Sequence, residues 1–117
     1  MRENKLADIS LEFSVNIMKL CEKTNNHFSV FNQLERAATS IGANIHEANY
    51  ASSRADFVSK LHIALKECYE TEYWLNLLIK AELFDRETLK SYYDQCGTIR
   101  RILVASIKTT KTGMNDK

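Results

Sequence analysis

Proline is absent from this 117-residue chain, and glycine occurs only three times. These residues are the usual punctuation of β-sheets and long loops, so their scarcity argues against both. Leucine, alanine, glutamate and lysine, which favour helices, are plentiful instead. The sequence therefore predicts an all-α protein.

Long apolar runs are also missing, and the longest is far too short to cross a bilayer. The opening segment, MRENKLADISLEF, carries charges every few positions and lacks the continuous apolar core of a secretion signal. We therefore expect a cytoplasmic protein with no membrane partner. The length, with 44% hydrophobic and 26% charged residues, predicts one globular domain over residues 1–117, with a polar tail from about residue 109.

Cysteine occurs only three times, at Cys21, Cys68 and Cys96. The number is odd, the spacing is wide, and each residue falls on a predicted apolar helix face. We expect reduced core residues rather than disulfide or metal partners.

Apolar residues recur at steps of three and four along four segments, which is the spacing of amphipathic helices. The first helix is predicted over about Asn4 to Lys23, with a charge-balanced outer face. Ser29 is the predicted N-cap of the second helix, Ser53 with Asp56 forms a capping box that opens the third, and Asp85 caps the fourth. Because short connections force successive helices to lie antiparallel, we expect an up-down-up-down antiparallel four-helix bundle.

Polar residues on the facing sides of the second and third helices are expected to pair across the turn near Ser52. Arg36 should pair with Glu67 or Glu70, and Glu47 with Lys60 or Arg54. A shift that left one charge of a buried pair without its partner would cost about 3–5 kcal/mol, so such pairs are expected to fix helix register. The predicted structural polar residues are Arg36, Asn44, Glu47, Lys60, Glu67 and Glu70.

A metal site is not predicted. A di-iron centre in a four-helix bundle needs Glu-x-x-His pairs, but threonine, alanine and serine stand three residues before His27, His46 and His62. Only Glu67 and Glu70 form a carboxylate pair at ligand spacing, and glycine-rich phosphate loops are absent. We therefore predict a non-enzymatic protein without a cofactor, with an enzyme built at Glu67 and Glu70 as the minor alternative.

The end of the chain is basic, although the net charge is only +1. Clustered cations could contact phosphates, and an oligomer would repeat them. The alternative is that the helix dipole and solubility favour cations at a helix C-terminus. The candidate nucleic-acid contacts are Arg100, Arg101, Lys108 and Lys111.

The third helix is apolar on more than one face, since several apolar residues lie off its main stripe. We therefore expect part of this surface to be buried against another subunit. The alternative is that the core of the bundle is thick enough to cover these residues. Glutamates around the aromatic residues argue against base stacking there. The candidate oligomer interface consists of Ile63, Tyr73, Trp74 and Leu77.

The two central helices contain a set of residues that resembles a known family: Gln33, Arg36, Ala37, Ser40, Ile41, Ala43, Asn44, Ile45 and Glu47 in helix two, and Phe57, Lys60, Leu61, Ala64, Lys66, Glu67, Glu70, Thr71, Trp74 and Leu75 in helix three. With these residues the chain resembles the bacterial four-helix-bundle proteins first noticed as reading frames in the intervening sequences of 23S ribosomal RNA genes.

The resemblance implies a small cytoplasmic bundle that assembles into a homo-oligomeric ring, commonly a pentamer with a central channel. Related accessory proteins of diversity-generating retroelements bind nucleic acid and associate with a reverse transcriptase. They are strongly basic, whereas this chain is nearly neutral. The leading hypothesis is a homo-oligomeric bundle that contacts RNA or DNA, and the alternative is a protein-binding scaffold or accessory subunit without nucleic-acid contact.

Overall fold

Four α-helices make up almost all of the structure, a computed structural model that describes residues 4–24 and 28–115. They are α1 (Asn4–Glu22), α2 (Phe28–Ala48), α3 (Arg54–Ala81) and α4 (Arg86–Asn115). No strand occurs in the described part of the chain. The prediction of an all-α protein is confirmed.

The helices form an antiparallel four-helix bundle, as predicted, about 52 Å long and little more than 20 Å across. Each helix packs against the next in sequence, and α1 also contacts α4, so α1 and α3 lie on opposite corners. The α2–α3 and α3–α4 seams are packed most extensively, whereas the α1–α4 seam is the most open. Helix α3 therefore anchors the bundle.

The core consists of the inner stripes of all four helices. Phe13, Phe31 and Leu61 are among its largest fully buried side chains, and Ala37 and Ala38 permit close approach of the helices. Most predicted inner positions are buried, and the half-buried ones are Leu6, Ile9, Cys21, Val30, Phe57 and Tyr92. Burial of this apolar surface is the main stabilising contribution.

The three cysteines are free thiols. Cys68 and Cys96 are buried, and the Cys96 thiol lies 3.5 Å from the Cys68 carbonyl. Burial raises the pKa of the half-buried Cys21 to about 12. The contact with Cys68 and burial also raise the pKa of Cys96, so the Cys21 and Cys96 thiols remain protonated near neutral pH.

Two predicted helix starts are confirmed in detail. Ser53 Oγ accepts a hydrogen bond from the Asp56 N–H (3.0 Å), and the Asp56 carboxylate accepts one from the Ser52 N–H (3.1 Å). Asp85 accepts one from the Thr88 N–H (3.0 Å) at the start of α4. These side chains satisfy amide groups that the first helical turn leaves without partners.

Two predicted helix ends are wrong. Ser29 is not an N-cap, because α2 already begins at Phe28 and Ser29 lies within its first turn. The polar segment from residue 109 does not fray but continues α4 as far as Asn115, since it contains no proline to break the helix. Its threonine hydroxyls bond to carbonyls one turn earlier, as in Thr112 to Lys108 (2.9 Å). Residues 1–3, 25–27, 116 and 117 of the predicted domain lie outside the described residues.

Helix α3 ends at a residue that glycine would normally occupy. Glu82 has a left-handed conformation (φ 57°), and the following Leu83 N–H donates to the Leu78 carbonyl (3.3 Å), as in a Schellman motif. A side chain at a left-handed position costs about 1–2 kcal/mol relative to glycine.

We expect Glu82→Gly to raise the free energy of unfolding by about 0.5–1 kcal/mol, because relief of this strain exceeds the entropy that glycine adds to the unfolded chain. Urea denaturation measures the change. Glu82→Ala is the matched control and should have little effect, since alanine retains the Cβ. Equal effects of glycine and alanine would contradict the strain explanation.

Candidate assembly and nucleic-acid surfaces

Arg36 of α2 joins two glutamates of α3 on the outside of the bundle. Its guanidinium donates to the Glu70 carboxylate and lies 3.6 Å from Glu67. The Trp74 indole N–H also donates to Glu70 (3.0 Å). Hydrogen bonds from Trp74 and then Arg36 hold the pKa of Glu70 below its ordinary value of 4.5.

A second ion pair joins the same two helices closer to their connection. Lys60 Nζ lies 3.0 Å from Glu47 Oε1, and this hydrogen bond raises the pKa of Lys60. Asn44 does not cross the seam, because its side-chain amide donates to the Ser40 carbonyl of its own helix (2.9 Å). The ion pairs thus link α2 to α3 at two heights, while their role in fixing register stays a prediction.

Arg100, one of the four candidate phosphate contacts, is held by a carboxylate. Its Nε donates to Glu72 Oε2 (2.7 Å), and Glu72 is almost buried between α3 and α4. The guanidinium also lies 5.7 Å from the centroid of the Tyr69 ring, a cation–π contact. The sequence pattern did not reveal this pairing, because it depends on the register of α3 against α4.

The other three candidate cations, Arg101, Lys108 and Lys111, are exposed along α4. From residue 100 to residue 115 this helix has four basic side chains and no acidic ones. Arg54 at the start of α3 extends the group, since its guanidinium approaches Gly113. We call Arg54, Arg101, Lys108 and Lys111 the basic face.

The outer side of α3 exposes apolar side chains, as the sequence analysis expected. Ile63, Tyr73 and Leu77 are exposed, whereas Trp74 is half-buried, packs edge-on against Tyr73 and bonds to Glu70. These four residues lie on one side of α3, on its outer surface between the seam with α2 and the seam with α4. We call these four residues the α3 face.

A second apolar surface lies on the outer side of α1, where the sequence analysis expected only balanced charge. Leu11, Val15 and Met18 are 65%, 41% and 47% exposed. Their steps of four and three are visible in the sequence, but the stronger inner stripe of α1 masked them. We call these three residues the α1 face.

The described residues contain no group of three His, Cys, Asp or Glu side chains that could hold a metal ion. None of their helices is long and apolar enough to cross a membrane.

Comparison with protein families matches residues 2–105 to the family described as 23S rRNA-intervening sequence protein. The chain belongs to this family. The resemblance noted for α2 and α3 thus extends over almost the whole sequence. A comparison with curated proteins gives no match.

A solved structure from the same group of proteins shares the fold of this family member. It is the crystal structure, at 1.70 Å resolution, of a protein with unknown function from the S23 ribosomal protein family of Bacteroides thetaiotaomicron VPI-5482. The two chains are 48% identical, with a TM-score of 0.87, and the match covers 92% of this chain and 99% of the other. This similarity establishes the fold but indicates no function, because the other protein is described as having unknown function.

Glu70→Gln should lower the free energy of unfolding by about 0.5–1 kcal/mol at pH 7, since it removes the charge that Arg36 contacts. A carboxylate whose folded-state pKa is lowered stabilises the protein above its ordinary pKa and loses that contribution as the pH falls through the folded-state value. The difference between the wild type and the variant should therefore shrink as the pH falls below about 4.5 and vanish once the pH has passed the lowered folded-state pKa.

Urea denaturation at a series of pH values measures this difference. Glu22→Gln, at an exposed position near the end of α1, is the matched control and should change stability little at any pH. A deficit of the Glu70 variant that persists undiminished at low pH would contradict the assigned role.

Proposed function

We propose that this protein is a non-enzymatic, homo-oligomeric ring whose subunits display a basic face to RNA or DNA. The observation that supports assembly is the pair of exposed apolar faces, on α1 and α3. Monomeric proteins rarely leave clusters of large apolar side chains in water, and such clusters mark interaction sites. The resemblance within the family implies a pentamer.

The positions of the two faces favour a ring over a symmetric dimer. They belong to different helices at opposite corners of the bundle. A symmetric dimer would pair one face with itself and would leave the other face exposed to water. If the α1 face of one subunit packs on the α3 face of the next, the contact is head-to-tail, and such contacts form a ring when the rotation between neighbours closes.

Both faces lean toward α2, which defines the orientation of the subunit in such a ring. Met18 shares a surface cavity with Phe31 and Asn32 of α2, and Trp74 reaches Arg36 of α2 through Glu70. Each subunit of a closed ring is a wedge, and its two contact surfaces converge on the side nearest the ring axis. We therefore place α2 along the channel and α4 on the outside.

An outward α4 would repeat the basic face around the circumference. A single subunit with a net charge of +1 offers few phosphate contacts, but an assembly multiplies them. The neutralisation of Arg100 by Glu72 favours the second candidate function, a protein-binding scaffold, because it leaves fewer cations to meet phosphates. Nucleic-acid binding is expected to be weak and sensitive to salt.

The head-to-tail arrangement can be tested by mixing two interface variants. Val15→Glu and Tyr73→Glu each place a charge in one apolar face, and we expect each variant alone to be monomeric. Mixed together, they should form a one-to-one complex, because the intact α3 face of the first meets the intact α1 face of the second. Light scattering during size exclusion measures the masses.

Val104→Glu is the matched control, since Val104 is 44% exposed on α4, outside both faces. It should assemble like the wild type. If Val15→Glu alone still forms a dimer, the α3 face pairs with itself and the head-to-tail arrangement is wrong. If both variants keep the wild-type mass, neither face is an interface.

The nucleic-acid role can be tested by replacing Arg101, Lys108 and Lys111 together with glutamine. Binding of a short fluorescein-labelled RNA, or the DNA of the same sequence, should weaken at least about tenfold, and the salt slope should fall by about 1 for each cation that no longer meets a phosphate. Fluorescence anisotropy over a range of salt concentrations measures both quantities.

The matched control replaces Lys19, Lys23 and Arg86, which lie at the opposite end of the bundle, and should bind normally. A wild-type protein that assembles but binds neither probe at low salt would rule out this role and leave the scaffold. Undiminished binding by the basic-face variant would show that other residues contact the nucleic acid.

A further inference from the structure

The open seam between α1 and α4 contains a cavity of about 640 Å³ at the end of the bundle where α1 begins and α4 finishes. This volume lies within the range of natural small-molecule sites, about 300–1,000 Å³. The cavity is open because four of the six α4 residues that line it are small: Ala105, Ser106, Thr109 and Thr110. Larger side chains at these positions would fill the cavity.

The wall of the cavity is apolar where it meets the core and polar at its opening. Leu6, Ile45 and Leu61 form the inner wall, and Ile45 and Leu61 are almost fully buried. Asn49 and the Ser106 hydroxyl also line the cavity, and within the described residues neither side chain has a hydrogen-bond partner. A ligand could therefore bury an apolar body and still find polar partners.

Among the described residues, two cations and no carboxylate line this cavity. Lys5 of α1 and Arg101 of α4 stand on its two sides. The Arg101 guanidinium makes one long hydrogen bond, to Thr98 Oγ1 (3.4 Å), which it can exchange for a stronger, charge-assisted bond to an anion. The charge of the lining thus favours a negatively charged ligand.

We propose that this cavity binds a small organic anion with an apolar body, such as a carboxylate on an aliphatic chain or ring. The anionic group would meet Lys5 and Arg101 at the opening, and the apolar body would lie against Leu6 and Leu61. This site is separate from both apolar faces, and in the proposed ring it lies next to the outward helix α4.

The test compares two fluorescent probes that share one ring system. Anilinonaphthalenesulfonate carries a negative charge, and phenylnaphthylamine lacks it. Both brighten in apolar surroundings, so titration of the full chain gives the affinity and stoichiometry of each. We expect one sulfonate probe per subunit, bound about tenfold more tightly than the neutral probe.

Three variants separate the contributions of charge and space. Lys5→Gln combined with Arg101→Gln should remove the preference for the sulfonate probe and leave the neutral probe unaffected. Ser106→Phe should fill the cavity and abolish binding of both, while thermal unfolding verifies that this variant folds. Thr112→Phe, at an exposed position of α4 away from the cavity, is the matched control.

A competition experiment then tests whether the cavity prefers a charged ligand to an uncharged one. Octanoate should displace the sulfonate probe at lower concentration than octanol, which has the same chain without the charge. Equal binding of the two fluorescent probes by the wild type would overturn the proposal, as would undiminished binding to the Ser106 variant. Binding that appears only in the Val15→Glu variant would also overturn it, because a neighbouring subunit would then cover the cavity.

Discussion

The packing of α3 is the constraint on which the rest of the structure depends. This helix fills the two tightest seams, against α2 and α4, and therefore buries the inner stripe that runs from Leu61 to Leu78. It is also apolar on its outer side, where only another protein surface could remove Ile63, Tyr73 and Leu77 from water. In the proposed ring, α3 would therefore couple the stability of the subunit to its assembly.

Ion pairs between the helices supplement the hydrophobic packing of the core. Two carboxylates of α3 meet arginines of the neighbouring helices, Glu70 with Arg36 and Glu72 with Arg100. That these pairs fix the register of the helices stays a prediction, based on the cost of leaving a partly buried charge without its partner. The pairs also remove Arg100 from the basic face, so local geometry rather than net charge determines which cations remain for a ligand.

The fold could be predicted from the sequence because periodicity and capping are local signals. The stripe of α3, the capping box at Ser53 and the cap at Asp85 all depend on residues within one or two turns. Signals that depend on helix register were missed, such as the burial of Glu72 against Arg100 and the approach of Arg54 to Gly113. The α1 face was readable as a pattern, but only the bundle shows that it faces away from the core.

The central claim is that the α1 and α3 faces close this family member into a head-to-tail ring. Native mass spectrometry of the wild-type chain over a wide range of protein concentration tests it most directly. The account predicts one dominant closed species, pentameric if the resemblance holds, that does not grow as concentration rises. A dimer, a monomer at every concentration or an open-ended ladder of masses would contradict it.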